Sequence, residues 1–127
     1  MNDTPRLLLV DDEPLILELM GEYFALQGFA VDTASELEEA EAMIASYPYS
    51  AVMTDLRLTG SDSVEGLELV RFVRQHSPAT RVVLLTGYGS TWNEGESWRR
   101  GVDAFLHKPQ SLPELWRTIR ELTAVAA

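Results

Sequence analysis

The sequence predicts an α/β fold: a doubly wound, three-layer (βα)5 sandwich on a parallel five-stranded sheet. Strand and helix signals alternate five times along the 127 residues, with no internal repeat and no low-complexity stretch. The strand signals are short continuous apolar runs, the pattern of parallel strands covered by helices on both faces. Sequence alone does not decide strand order; the order 2-1-3-4-5 is expected, because it is common in doubly wound sheets.

The elements follow in turn. Residues 6–10, with Leu7-Leu8-Leu9-Val10, form the first strand. Pro14 falls in the first turn of the next helix, where its missing N–H costs nothing. Ile16, Leu19, Met20, Tyr23 and Phe24 recur at helical spacing, and Gly28 ends the element. Phe29-Ala30-Val31 reads as a short strand. Ser35 with Glu38 reads as a capping box for a helix with Leu37, Ala40 and Ile44 inward, stopped at Pro48. The third strand covers 51–54 and the third helix roughly 65–76, with Leu67, Val70 and Val73 inward. Pro78 turns the chain into the fourth strand at 81–85. Thr91 and Glu94 fit the box of a fourth helix ending before Gly101, although Gly95 inside it costs about 1 kcal/mol against alanine. Val102-Asp103-Ala104-Phe105-Leu106 is the fifth strand. Ser111 and Glu114 box the last helix, with Leu112, Leu115, Ile119 and Leu122 on one stripe.

Composition narrows the function classes. Apolar residues at 46% and charged residues at 24% are ordinary for one globular domain. The absence of cysteine excludes disulfides and thiolate metal sites and fits a reducing, cytoplasmic compartment. A formal net charge of −10 argues against direct nucleic-acid binding, which needs clustered Lys and Arg. No apolar run approaches the roughly 20 residues of a membrane span, so no membrane role is expected.

The chemistry gathers where the strands end. Asp11-Asp12 follows the first strand, Asp55 the third, Thr86 the fourth and Lys108-Pro109 the fifth. In parallel sheets ligands bind beyond these carboxyl ends. Three carboxylates brought together repel, and a hard divalent cation removes that cost; Mg2+ suits few carboxylates and shares readily with a phosphate oxygen. Asp55 is then the natural nucleophile for an aspartyl phosphate. The cation, Lys108 and the Thr86 hydroxyl are left for the three phosphoryl oxygens.

In order and spacing, Asp11-Asp12, Asp55, Thr86 and Lys108-Pro109 resemble the receiver domain of two-component response regulators over nearly the whole chain. The resemblance implies one receiver domain over 1–127, with its core at about 5–124 and no output domain in this chain. It implies that Asp55 takes a phosphoryl group from a sensor histidine kinase or histidine phosphotransfer protein. Asp11, Asp12, Asp55 and the Arg57 carbonyl would hold Mg2+, with Mn2+ able to substitute. Thr86 and Phe105 would be the switch pair, the hydroxyl moving toward the phosphoryl group as the ring turns inward. Lys108-Pro109 would be a cis peptide. The output surface would be the face of helix four, strand five and helix five, read by a downstream protein effector, an output domain or a second copy in a phosphorylation-dependent homodimer. On that face Trp92 and Trp98 are candidate anchors, and core packing of both rings stays equally open.

Two segments depart from the family. Thr59 stands where a proline is usual, and Gly66 lies eleven residues after Asp55 rather than eight, so the intervening loop is about three residues longer. A mobile loop that alters partner docking is expected there. The fourth helix carries Trp92, Asn93, Gly95 and Trp98 in place of strong helix formers. A phosphatase acting on small molecules would place a second acid two residues beyond its nucleophile. Arg57 occupies that position, which disfavours turnover.

Overall fold

Five strands, β1 (Arg6–Val10), β2 (Ala30–Ala34), β3 (Ala51–Asp55), β4 (Arg81–Thr86) and β5 (Ala104–His107), pair in parallel in the order β2-β1-β3-β4-β5. This is the expected order. Helices α1 (Pro14–Leu26), α2 (Leu37–Ser46), α3 (Glu65–His76), α4 (Thr91–Arg100) and α5 (Leu112–Thr123) alternate with them. The structure is a computed structural model that describes residues 4–58, 65–87 and 91–123, without the side chains of Thr91 and Trp92. The expectation of a longer, mobile loop after Asp55 falls on residues 59–64, outside the described residues.

Successive residues of a strand point to opposite faces, so each continuous apolar run feeds two cores. Leu8, Val10, Val52, Val82 and Leu84 pack with Ala40 and Ile44 of α2 and Leu67, Val70 and Val73 of α3. Leu7, Leu9, Met53, Val83 and Leu85 pack on the other face with Leu17, Met20 and Phe24 of α1 and Leu115 and Ile119 of α5. The three layers are thereby closed. In register, Asp55 lies beside Leu85 and Val10 beside Thr54, so β1 and β3 deliver their carboxylates at one level.

Several details differ from the sequence expectation. The second strand begins at Ala30, not Phe29; Phe29 leaves the ladder to lie between Phe24 and Trp116 in edge-to-face contacts at 6.2 and 5.6 Å. The α2 box is displaced by one residue: Glu36 is the N-cap, and Glu39, not Glu38, accepts the Ser35 N–H at 2.8 Å. On α1 the inward stripe is Leu17, Met20 and Phe24, while Ile16 and Leu19 face solvent. The fifth strand is displaced as well, running over Ala104–His107 where the sequence suggested 102–106, and the expected Thr91 box of α4 lies outside the described side chains. Ser111 and Glu114 form a reciprocal box, at 3.2 and 2.9 Å, at the start of α5. Gly28 closes α1 with φ +103°, a conformation costly for any side chain.

Candidate functional site

The carboxyl ends of β1, β3 and β5 converge at one rim of the sheet. Asp11 follows β1 directly, its N–H donating to Ala34 O at 3.1 Å, and its carboxylate accepts the Glu13 N–H at 2.9 Å just before Pro14 opens α1. Asp55 is the last residue of β3. Carboxylate oxygens of Asp11, Asp12 and Asp55 lie within 4.8 Å of one another. Asp11 is buried and Asp12 exposed, with Asp55 between them. From β5, Lys108 reaches Asp55 Oδ2 at 3.0 Å and Asp11 Oδ2 at 3.7 Å. The Lys108–Pro109 peptide is cis, and the Lys108 N–H donates to Thr86 O at 2.8 Å. Thr86 ends β4 and is fully buried.

Electrostatics strains this cluster. Burial pushes the Asp11 carboxyl up; the Glu13 N–H and Lys108 oppose the rise, and the charges of Asp55 and Asp12 add to it. Burial pulls Lys108 down, but the hydrogen bond and charge of Asp55, with Asp11 and Glu13 beyond, outweigh it and leave the ammonium above its ordinary value. One ammonium thus balances only part of three carboxylates. The all-oxygen donor set, one member of it buried and destabilised, fits a hard cation such as Mg2+. The Arg57 N–H donates to Asp55 Oδ1 at 3.3 Å, which places the Arg57 backbone next to the cluster.

A thermal experiment reports on that strain. The folded value of Asp11 lies above its unfolded one, so its charge destabilises the fold at neutral pH, and the cost fades as pH falls through the raised value. Asp11→Asn keeps an acceptor for the Glu13 N–H and removes the charge. In magnesium-free buffer it is expected to raise the melting temperature, and to lose stabilisation by Mg2+. Acidification of the wild type is expected to weaken Mg2+ binding from a higher pH than an ordinary carboxylate would require. A lower melting temperature for Asp11→Asn would contradict this.

The other expected site residues fall as follows. Phe105 is buried against the α2–α3 core, with the His107 ring edge-on at 5.4 Å. Trp98 is 49% exposed on α4, its Nε1 3.5 Å from Glu94 Oε2. The Trp92 side chain lies outside the described residues. On α5, Trp116 packs edge-on to Phe29. His107 is exposed and 3.9 Å from Glu94.

A feature that periodicity did not reveal flanks the carboxylates. A cleft of about 390 Å3 runs between α1 and α5, lined by Ile16, Leu19, Met20, Pro109 and Leu112 and opening on Asp11 and Lys108. Leu15 (79% exposed) and Leu19 (57%) form an apolar ridge beside it. The signal was present in the sequence, because α1 carries more apolar residues than one inward stripe can use.

A family model of the response regulator receiver domain matches residues 7–120. The chain belongs to the response regulator receiver domain family. Similar receiver-containing proteins include the response regulator protein PilR of Pseudomonas aeruginosa, 35% identical over 95% of this chain and 26% of PilR. The transcriptional regulatory protein ResD of Bacillus subtilis is 31% identical over 95% of this chain and 48% of ResD. The chain spans between 26% and 58% of the length of its first two curated relatives. Among solved structures, a CheY-like receiver domain of Methanospirillum hungatei superposes with a TM-score of 0.89 at 27% identity, covering 96% of this chain and 95% of its own. The response regulator TrrA of Thermotoga maritima, solved with Mg2+ and a beryllofluoride group, has a TM-score of 0.80 at 32% identity, covering 93% of this chain and 98% of its own. This receiver domain is therefore homologous to two-component regulators, and its acidic cluster is compatible with Mg2+. Among the described residues no helix is long and apolar enough to cross a membrane.

Proposed function

We propose that Asp55 is the phosphoryl acceptor of a switch that catalyses only its own phosphorylation and dephosphorylation. The observation that supports this best is the joint placement of Asp11, Asp12 and Asp55 within 4.8 Å of one another with Lys108 3.0 Å from Asp55. An Asp55 carboxylate oxygen attacks the phosphorus of a phosphohistidine on a sensor kinase or phosphotransfer protein. The P–N bond breaks, and its electron pair leaves with the imidazole. Lys108 neutralises one phosphoryl oxygen and the Thr86 hydroxyl binds another. Mg2+, or Mn2+ in its place, held by Asp11, Asp12, Asp55 and the Arg57 carbonyl, supplies further charge neutralisation when bound.

Phosphorylation then shifts a population between two forms. Moving from 1:99 to 99:1 takes about 5.5 kcal/mol of differential binding, within reach of a doubly charged group meeting an ammonium, a hydroxyl and a cation in a crevice. Thr86 and Phe105 carry the change to the α4–β5–α5 face, where exposed Trp98 offers an aromatic anchor. The reader of that face is a downstream effector, an output domain of the same polypeptide or a second copy of the domain. We place this domain in the cytoplasm, with no direct contact of its own to nucleic acid or membrane.

The donor protein docks on the apolar ridge of Leu15, Ile16 and Leu19, beside the cleft that opens on Asp11 and Lys108. Leu19→Glu is expected to slow transfer from a phosphohistidine protein by about tenfold, the loss of one well-buried apolar contact, while labelling by acetyl phosphate stays as in the wild type. Equal rates with both donors would place docking elsewhere.

A further inference from the structure

Resting on the reading of Asp55 as acceptor, we propose that Thr54 and Gly66 are positioning residues that fix the Asp55 backbone, and through it the carboxylate. Thr54 is the one polar residue in the run Ala51-Val52-Met53-Thr54 and is 1% exposed. A hydroxyl so buried costs stability unless it is hydrogen-bonded. Its partner is the carbonyl oxygen of Asp55 itself, at 3.0 Å. Valine would fill the same volume without the hydroxyl.

Gly66 confines the same carbonyl. A Cβ at Gly66 would stand 2.5 Å from Asp55 O, 2.8 Å from Leu56 Cα and 3.0 Å from Leu56 O. All three are backbone atoms, and none can swing away as a side-chain tip would. The Gly66 N–H also donates to Leu56 O at 2.9 Å, while the Leu56 N–H donates to Leu85 O at 3.2 Å. The first turn of α3 is thus clamped onto the peptide that follows the acceptor, and that peptide is tied in turn to β4. One residue further, the Arg57 N–H holds Asp55 Oδ1. A shift of the Leu56 peptide therefore moves both the Asp55 carboxylate and the Arg57 carbonyl. The eleven-residue spacing from Asp55 to Gly66 leaves this contact in place.

Misplacing a reacting group by about 1 Å can cost up to about a hundredfold in rate. The test compares Thr54→Val, Thr54→Ser, Gly66→Ala and, as control, Gly21→Ala, whose added Cβ would meet only Val31 at 3.9 Å. Each is followed by the rate of labelling with acetyl phosphate, by Mg2+ titration without phosphodonor and by thermal melting. Thr54→Val and Gly66→Ala are expected to label at least about tenfold more slowly and to bind Mg2+ several-fold more weakly. Thr54→Ser, which keeps the hydroxyl, and Gly21→Ala are expected to stay within about twofold of the wild type. The proposal is overturned if Thr54→Val matches the wild type in both readouts, or if Thr54→Ser loses as much as Thr54→Val. Should Gly66→Ala not fold, the Thr54 pair decides alone. If the wild type itself takes no label, the acceptor reading fails, and the Mg2+ titrations still decide whether Thr54 and Gly66 position the carboxylates.

Discussion

Lys108→Ala is expected to change two properties of the site in opposite directions. Its ammonium lies 3.0 Å from Asp55 Oδ2 and 3.7 Å from Asp11 Oδ2, where it competes with a divalent cation for the same oxygens. Removing it should tighten Mg2+ binding several-fold, because three mutually repelling carboxylates lose their only counter-charge among the described salt bridges. Phosphorylation should nevertheless slow by about a hundredfold, the usual cost of deleting one preorganised donor to developing oxyanion charge. Mg2+ titration and acetyl phosphate labelling of the same sample separate the two effects. A parallel loss of both would mean that Lys108 only props the site open.

The largest stability effect is expected away from the site. Arg74 on α3 donates from Nε to Gly101 O at 2.9 Å, from Nη1 to Pro78 O at 2.6 Å and from Nη2 to Thr80 O at 2.6 Å, and it pairs with Asp103 at 2.9 Å. One side chain thereby joins the end of α3, the turn into β4 and the turn from α4 into β5. Arg74→Ala removes this donor from three carbonyls and leaves the part-buried Asp103 carboxylate with the Val82 N–H and the more exposed Arg81. The expected loss is about 3 kcal/mol, a large part of the roughly 5–15 kcal/mol of a typical domain. In urea the midpoint should fall by about 1–2 M at unchanged slope. Arg74→Lys should recover little, since a single ammonium cannot span the planar fork of acceptors. A midpoint unchanged in Arg74→Ala would show that these carbonyls are satisfied without it.

The sequence was legible wherever one physical requirement dominated. The β1, β3 and β4 runs are buried on both faces, so unbroken apolar stretches marked them. The acidic pair, Asp55 and Lys108 stand at strand ends, where no packing demand explains a charge, and the structure brings them together. Legibility failed where two signals competed. At α2 both Glu38 and Glu39 could answer Ser35, and only the helix start, with Glu36 as N-cap, selects Glu39. At β2, an edge strand carrying Asp32 and Thr33, the apolar Phe29 was drawn into the strand although it serves the aromatic cluster beneath it. Ile16 and Leu19 fit the helical spacing of α1 as Met20 and Phe24 do, yet they are exposed and border the cleft that opens on Asp11 and Lys108. The contacts of Thr54 and Gly66 with the Asp55 backbone depend on distances that no spacing rule encodes.

The most direct test is the intact mass of the wild type and Asp55→Asn after incubation with acetyl phosphate and Mg2+. The wild type is expected to gain one phosphoryl group, lost again on hydroxylamine treatment as an acyl phosphate is, while Asp55→Asn gains none. Addition of a phosphoryl group to Asp55→Asn at the wild-type rate would contradict the assignment of Asp55 as acceptor.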